Sequence, residues 1–581
     1  MPDLSLTETD DELVVRAERW TLTLPRRGAA ARLVVDGTDW GRLSLLATVD
    51  RTDGRDETHD VGTVGVVEES ATRVVLEVDQ ATSAWRDKAT VITCTPAGVE
   101  VHVEVAGPGT ISEVALLGGR AVLPTGAAGT FRSQLVARSV FDPTPTQPVA
   151  VVRPATSSVT LGIVGDAEPG RLNGIFSPPP LLLVLGTDDP VGPTAIPGGQ
   201  WLGLGLREEV ESMTFTQVRY EPVDGGFVVR LDYEGHTRVA ESWTSPRLII
   251  APAASPYDAV ADHRAHLDDH GLVRGPVHPP EDWWSRTIFC GWGAQCAEAA
   301  RTGAGPAMSL ARQDRYDRWL GVLDEHGIEP GTIVIDDQWQ TDYGLPDVDT
   351  DKWPDLRAWI AERHAAGQRV LLWWRAWAPH GLPASECVLD ALGRPVAADP
   401  SNPAYRDRLR RTMHALLGPD GLDADGLKVD FTQRAPSGES LVAHGEEWGV
   451  ALLHTLLRTI YAGAKEAKPD ALVITHTPHP SFGDVCDMVR LNDVLDSDAG
   501  GRPVPAVDQL RFRHAVVSRA MPLHLVDTDQ WPMQTRADWL GYAEQQAGLG
   551  VPSLYYVEAI DNSREEITGA DLAQVAAWWS R

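Results

Sequence analysis

Lys428 and Asp430, in the segment GLKVDF, are separated by one position. In an extended strand that spacing puts both side chains on one face. A cation placed there keeps a carboxylate ionised, as a nucleophile requires; a buried structural ion pair would use the same spacing. Other carboxylates end short apolar runs: Asp336 and Asp337 in TIVIDD, Asp493 in MVRLND, Asp498 in the loop after it, and Asp527 and Asp529 in LHLVDTD. Cations and imidazoles stand at similar points, namely Arg375, Arg490, His476 and His479. Indoles accompany them at Trp292, Trp339, Trp373, Trp374 and Trp377. One Asp at a strand end is an ordinary cap or turn residue. Carboxylates brought together from four strands and flanked by indoles suit glycosidic bond cleavage. One carboxylate attacks or stabilises the oxocarbenium-like carbon, and the other protonates the leaving oxygen.

A closed ring of parallel strands brings many strand ends to one mouth. From about Trp283 the sequence alternates strand and helix signals. The strand candidates are TIFCGWG, TIVIDD, RVLLWW, GLKVDF, ALVITH, MVRLN, LHLVD and PSLYY. Eight units in under 300 residues predict a (β/α)₈ barrel, whose site lies at the C-terminal strand ends. A doubly wound sheet is the rival, but no glycine-rich phosphate loop follows the first strand. The first ~255 residues read instead as alternating β segments such as DELVVRAERWTLTL and GVEVHVEVAG, the pattern of an antiparallel β-sandwich. The expected division is residues 1–255 for the sandwich, 256–282 for a helical and Pro-rich linker, and 283–581 for the barrel.

The bulk numbers are those of a globular protein and say nothing about the reaction. The chain has 581 residues, 43% hydrophobic and 23% charged, and so is long enough for two to four domains. Its formal net charge of -31 repels phosphate backbones and anionic headgroups, which excludes nucleic acid as the main partner. The N-terminus shows no basic and apolar leader, and no apolar run reaches about 18 residues, so neither a signal peptide nor a membrane partner is expected. Five scattered cysteines form neither a disulfide framework nor a zinc motif. A cytoplasmic enzyme is the simplest reading. Twenty Trp against 10 Tyr and 9 Phe suit a carbohydrate site, although core packing accounts for most indoles.

At these motifs the chain resembles the retaining α-galactosidases, clan D of the glycoside hydrolases, and glycoside hydrolase family 36 most of all. IDDQW resembles the family's double-Asp motif, and GLKVDFTQR its Lys-x-Asp nucleophile motif with Arg434 in place. MVRLNDV falls where the family keeps its acid/base Asp. WPDLRAW, ADPSNPAYRDRLR, FCGWG and the connector SPRLIIAPAASPYDAVADHRAHL are similar to further segments. Three features depart from the pattern. The family's Glu-containing stretch after strand three is replaced by the cationic, aromatic WWRAWAPHG. The acid/base loop reads RLNDVLDSD, and the usual C-terminal β domain is not evident.

The resemblance implies a retaining, exo-acting α-glycosidase working by double displacement. Asp430 is then the nucleophile and Asp493 the acid/base. Asp498, preceded by Ser497, is the alternative; Asp493 is favoured because it stands nearer the strand end, where backbone position is better fixed. Asp336 and Asp337 would bind sugar hydroxyls. Lys428, Arg490, Arg375 and His476 would add polar contacts, and Trp292 and Trp374 an apolar platform. No metal and no cofactor is expected. The partner is an oligosaccharide or glycoside, and a homo-oligomer is compatible with the sequence. Three rivals stay open: a transglycosidase of the raffinose-synthase type, a metal-dependent barrel hydrolase using His476, His479 and the Asp cluster, and a non-catalytic carbohydrate-binding relic.

Overall fold

The structure is a computed structural model and describes residues 4–124, 126–134, 139–143, 149–150, 159–164, 176–187, 199–223, 226–303, 305–496 and 503–580. Among the described residues the N-terminal part holds three sheets. Ser5–Glu8, Glu12–Arg16, Trp20–Pro25, Ala30–Val35 and Thr38–Ser44 form a five-stranded meander in chain order. Period two explains its burial: Trp20, Leu22 and Leu24 face the core, while Thr21 and Thr23 are half-buried. A 13-stranded sheet includes Val74–Thr82, Asp87–Thr95, Gly98–Ala106, Trp201–Arg207 and Arg247–Ala253. A third sheet of five strands is centred on Gly109–Leu116 and the 14-residue strand Gly226–Val239. Among the described residues the pairing in these sheets is antiparallel apart from one parallel contact, Ala121 with Thr58. These are the antiparallel sheets that the alternating segments predict.

Helix Pro256–Asp269 follows. The Ser255 side chain accepts from the Asp258 N–H, and Pro256 occupies the first turn, where its missing donor costs nothing. The helix packs on strands Trp201–Arg207 and Arg247–Ala253 and on helix Ala506–Ala520.

Eight parallel strands then close into a barrel: β1 (Ile288–Cys290), β2 (Thr332–Ile335), β3 (Arg369–Arg375), β4 (Gly426–Asp430), β5 (Leu472–Thr475), β6 (Met488–Arg490), β7 (Leu525–Asp527) and β8 (Ser553–Leu554). Their order is sequential, with β8 beside β1. A parallel bridge from Asp527 to Val551 closes the ring, with Val551 N–H donating to the Val526 carbonyl at 2.7 Å. Helices Gln313–Glu325, Leu356–Ala365, Pro403–Leu417, Gly449–Ala467, Ala506–Ala520, Arg536–Gln546 and Gly569–Trp579 cover it. Between β5 and β6 the chain makes only the 3₁₀ turn Pro480–Phe482. That segment, HTPHPSFGDVCD, carries two prolines and a glycine and has no room for a helix.

The barrel's N-terminal end is fastened by charge. Asp425, 1% exposed, accepts from the Val370 N–H at 2.8 Å and from His364 Nε2 at 2.7 Å. Arg369 and Lys468 approach its other oxygen at 3.2 and 3.3 Å. Burial pulls this carboxyl up, but His364, Lys468 and the Val370 N–H together hold it below its ordinary value.

Candidate active site

Polar side chains meet at the C-terminal mouth because each strand delivers them there. From β1, the Cys290 thiol donates to Asp336 Oδ2 at 3.0 Å. Immediately after β2, Asp336 is buried and also accepts from Lys428 Nζ at 2.7 Å. Asp337 accepts from the Tyr343 hydroxyl at 2.7 Å. Burial pushes the Asp337 carboxyl up to about 6, with the Tyr343 hydrogen bond opposing.

Strand β3 pairs with β4 in the register Trp373 to Lys428, Trp374 to Val429 and Arg375 to Asp430. Alternation therefore gives Trp373 and Arg375 the face of Lys428 and Asp430, and Trp374 the opposite, buried face. Trp374, expected as a sugar platform, is instead turned away from Lys428 and Asp430 into the hydrophobic core; Trp373 is as deeply buried, so it is the face and not the burial that separates them. Trp373 is the indole at the site, and its Nε1 donates to Asp430 Oδ2 at 3.1 Å. Trp292 opens helix Trp292–Thr302 and packs edge-on against Trp531, 5.7 Å between centroids.

Lys428 and Asp430 share β4 as the spacing requires, yet they are not ion partners. Lys428 pairs with Asp336 and lies 5.1 Å from the Tyr555 ring centroid. Asp430 belongs to Arg490, whose Nη2 donates to its Oδ1 at 2.7 Å. The Phe431 N–H donates to the same oxygen at 2.8 Å. Burial would push the Asp430 carboxyl up; the Arg490 guanidinium, with Lys428 and the Phe431 N–H, overrides it and holds the group far below the usual carboxylate range.

Arg490 serves more than one acid. Its Nη1 donates to Asp529 Oδ2 at 2.7 Å and stands 3.5 Å from Asp493 Oδ1. Asp529 is fully buried, and its other oxygen accepts from the N–H groups of Gln530 and Trp531. Asp493 keeps 44% of its side chain exposed. Withdrawal from bulk water pushes its carboxyl up to about 7; Arg490 opposes, while Asp529 and Asp430 add like charge.

His476, after β5, is buried. Its Nε2 meets the Thr432 hydroxyl at 2.7 Å and Gln433 Oε1 at 3.2 Å, and its Nδ1 lies 3.8 Å from Asp430. Burial and Arg490 lower its pKa to about 3, so the ring is neutral. A loop of the N-terminal part reaches this point, since the Ser177 N–H donates to the His476 carbonyl and the Thr432 hydroxyl donates to the Ser177 carbonyl. His479 is used elsewhere: its Nδ1 accepts from the Ser481 N–H of the 3₁₀ turn.

The backbone is strained around these acids. Gln338 (φ 66°), Phe431 (φ 60°), Asn492 (φ 65°) and Asp529 (φ 44°) all adopt left-handed conformations. Each adjoins a site carboxylate or is one. Such residues cost of order 1–3 kcal/mol apiece and cluster where side chains must be aimed.

Sequence reasoning assigned no role to Cys290 or Tyr343. Cys290 precedes the Gly-Trp pair without any motif, and Tyr343 lies in a loop six positions after Asp337. Trp373 was within reach, since it shares its parity with Arg375. Asp498 lies outside the described residues.

No protein-family model matches the sequence, and no curated protein matches it. Solved structures do. A GH31 family sulfoquinovosidase from E. rectale, in complex with an aza-sugar inhibitor, is similar at a TM-score of 0.58 and 11% identity over 99% of this chain and 82% of that one. An α-galactosidase from Thermus thermophilus, in complex with stachyose, is similar at 0.52 and 15% over 90% of this chain and 100% of that one. An α-galactosidase from Lactobacillus brevis is similar at 0.50 and 12%, over 99% and 83%. The fold of this chain, antiparallel sheets followed by a (β/α)₈ barrel, is the fold of these glycosidases.

Proposed function

We propose that this chain is a retaining, exo-acting α-glycosidase of α-galactosidase-like type, with Asp430 as nucleophile and Asp493 as acid/base. One observation carries the reading. Asp430 and Asp493 stand beside the same guanidinium with opposite proton affinities, the first held ionised and the second pushed up to about 7. Two carboxylates driven apart in this way divide nucleophilic and acid roles between them.

In the first step an Asp430 oxygen attacks the anomeric carbon as the glycosidic C–O bond breaks. Asp493 gives its proton to the departing oxygen, so the leaving group departs as an alcohol. In the second step Asp493, now a carboxylate, takes a proton from water. The water oxygen displaces Asp430 and regenerates both groups. Arg490 and Trp373 hold the Asp430 oxygens in place. Asp336 and Asp337 are presented to sugar hydroxyls, Asp336 fixed by Lys428 and Cys290 and Asp337 by Tyr343. A panel of nitrophenyl α- and β-glycosides, with NMR of the first-formed anomer, tests the reading. Cleavage with net retention is expected, and an inverted product would overturn it.

A second reading of the substrate is favoured by Arg375. Among the described residues no carboxylate lies within ion-pairing distance of its guanidinium, which rests 4.9 Å from the Tyr343 ring centroid and 5.1 Å from that of Phe431. A cation at the mouth without an acid suits a sugar carrying an anionic substituent. Adding a uronide and a sulfonated glycoside to the panel separates this from a neutral hexose. Transfer to an acceptor sugar uses the same residues, and product analysis at high acceptor concentration distinguishes it from hydrolysis.

A further inference from the structure

Away from the barrel mouth, Glu100, His266 and His270 converge, their ligand-capable atoms all within 4.8 Å of one another. Glu100 lies on strand Gly98–Ala106. His266 is in the last turn of helix Pro256–Asp269, and His270 is its C-terminal cap. Positions four apart on a helix share a face, the spacing with which two imidazoles bind one metal ion. The two rings are 4.6 Å apart between centroids.

Each ligand is oriented as a donor to a cation. His270 Nδ1 lies 2.8 Å from the His266 carbonyl. A carbonyl only accepts, so Nδ1 carries the proton and Nε2 keeps its lone pair, as in metal-bound histidines fixed by a backbone oxygen. Arg207 Nη2 occupies Glu100 Oε2 at 2.5 Å, leaving Oε1 for a second partner. His266 Nε2 stands 3.2 Å from that Oε1 but makes no aligned hydrogen bond, although the nitrogen is buried. With metal bonds of about 2.0–2.1 Å, two ligands of one tetrahedral zinc are about 3.3 Å apart. The observed contact matches the spacing of two ligands sharing an ion, a spacing that a His–Glu ion pair also has. A cavity of about 350 Å³, lined by Glu100, His263, His266 and Asp269, reaches two of the three residues, while the third, His270, is exposed to solvent, so an ion has an entry path.

We propose that Glu100, His266 and His270 form a binding site for a divalent transition-metal ion of the Zn²⁺ kind, which pins helix Pro256–Asp269 to the N-terminal sheet. Two imidazoles and one carboxylate suit Zn²⁺ rather than Mg²⁺ or Ca²⁺. Water completes the coordination from the cavity. The role is structural, because none of the three ligands lies on β1–β8 or at their ends. The helix also packs on helix Ala506–Ala520, so the ion would brace the junction between sheets and barrel.

The test uses the full-length chain, stripped with chelator and titrated with Zn²⁺ by calorimetry and with Co²⁺ by visible absorption. The wild type is expected to bind one equivalent more than the double variant His266→Gln/His270→Gln, to show tetrahedral Co²⁺ bands that the variant lacks, and to gain several degrees in Tm with Zn²⁺. His270 is exposed, so His270→Gln alone is a second variant that leaves the fold intact, and it should lose at least tenfold in affinity. Glu100→Gln should also weaken binding about tenfold. Equal uptake by wild type and His270→Gln, or Co²⁺ bands that survive in the double variant, would overturn the site. Glycosidase activity of the double variant should equal that of the wild type, which separates failure here from failure of the active-site reading.

Discussion

Arg490 Nη2 lies 2.7 Å from Asp430 Oδ1, while Nη1 of the same guanidinium lies 2.7 Å from Asp529. One side chain from β6 therefore fixes acids from β4 and β7. Arg490→Lys keeps the charge but loses the fork that spans both acids. We expect kcat/KM to fall at least 100-fold. The sign of the pH effect follows from the pairing. A weaker partner lets the Asp430 pKa rise toward its ordinary value, so the acidic limb of the kcat/KM profile moves to higher pH. An unmoved acidic limb would remove Arg490 from the role of holding Asp430 ionised.

The basic limb belongs to the acid. With the Asp493 carboxyl near 7, kcat/KM for a poor leaving group should fall as pH rises through about 7, because the proton that the leaving oxygen needs has gone. An activated leaving group needs no such proton, so its profile should stay flat over the same range. A pH series on both substrates checks this, and identical limbs would count against an acid in this loop.

Neighbouring indoles on β3 should behave oppositely. Trp373→Phe removes the donor to Asp430 Oδ2 but keeps a ring, and should lower kcat about tenfold; because Trp373 is also buried it should lose some stability, but less than removal of a whole indole costs. Trp374→Ala empties a buried core position and should cost roughly 3–5 kcal/mol of stability. Urea unfolding and steady-state kinetics on the two variants separate the roles; equal loss of stability in both would reject the assignment of faces.

How far the sequence reached is visible in such pairs. Every barrel strand stands where a short apolar run places it, because buried parallel strands leave a continuous apolar signature. The carboxylates at the mouth follow from those strand ends. Partnership did not follow. Lys428 lies two residues from Asp430 and pairs with Asp336, whereas Arg490, 60 positions away, takes Asp430. Spacing fixes which face a side chain uses, but the neighbour across a barrel depends on tilt and stagger, which one strand's sequence does not encode. Nor did it encode Tyr343, which reaches Asp337 from an irregular loop.

The far end of the barrel makes a stability prediction. Asp425 is held below its ordinary pKa by His364, Lys468 and the Val370 N–H against the pull of burial. A depressed carboxylate contributes stability that is fully present above its unfolded pKa of about 3.9 and is lost as pH falls through the folded value. Asp425→Ala should cost roughly 3–5 kcal/mol, since three half-buried cationic or imidazole side chains and a buried N–H lose their acceptor. The mutant's deficit at pH 7 should shrink in acid below about pH 4, and a deficit independent of pH there would deny the charge its role.

Asp493 and Asp498 can be told apart by chemistry rather than position. An acid matters most when the leaving group is poor, because it supplies the proton that an alkoxide would otherwise lack. Asp493→Ala should lose far more activity on a disaccharide than on a dinitrophenyl glycoside. With the activated substrate the first step survives, but water in the second step lacks its base, so the covalent intermediate on Asp430 should accumulate. Azide needs no base. It should attack that intermediate, restore the rate and give a glycosyl azide of retained configuration. A carboxylate that only shapes the loop or binds a hydroxyl would depress both substrates alike and gain nothing from azide. We expect the leaving-group dependence and the rescue for Asp493→Ala, and neither for Asp498→Ala. The reverse would move the acid to Asp498 and leave Asp493 as a binding carboxylate beside Arg490. Neither variant responding would mean that the acid comes from another strand, where Asp337, also pushed upward by burial, is the next to be changed.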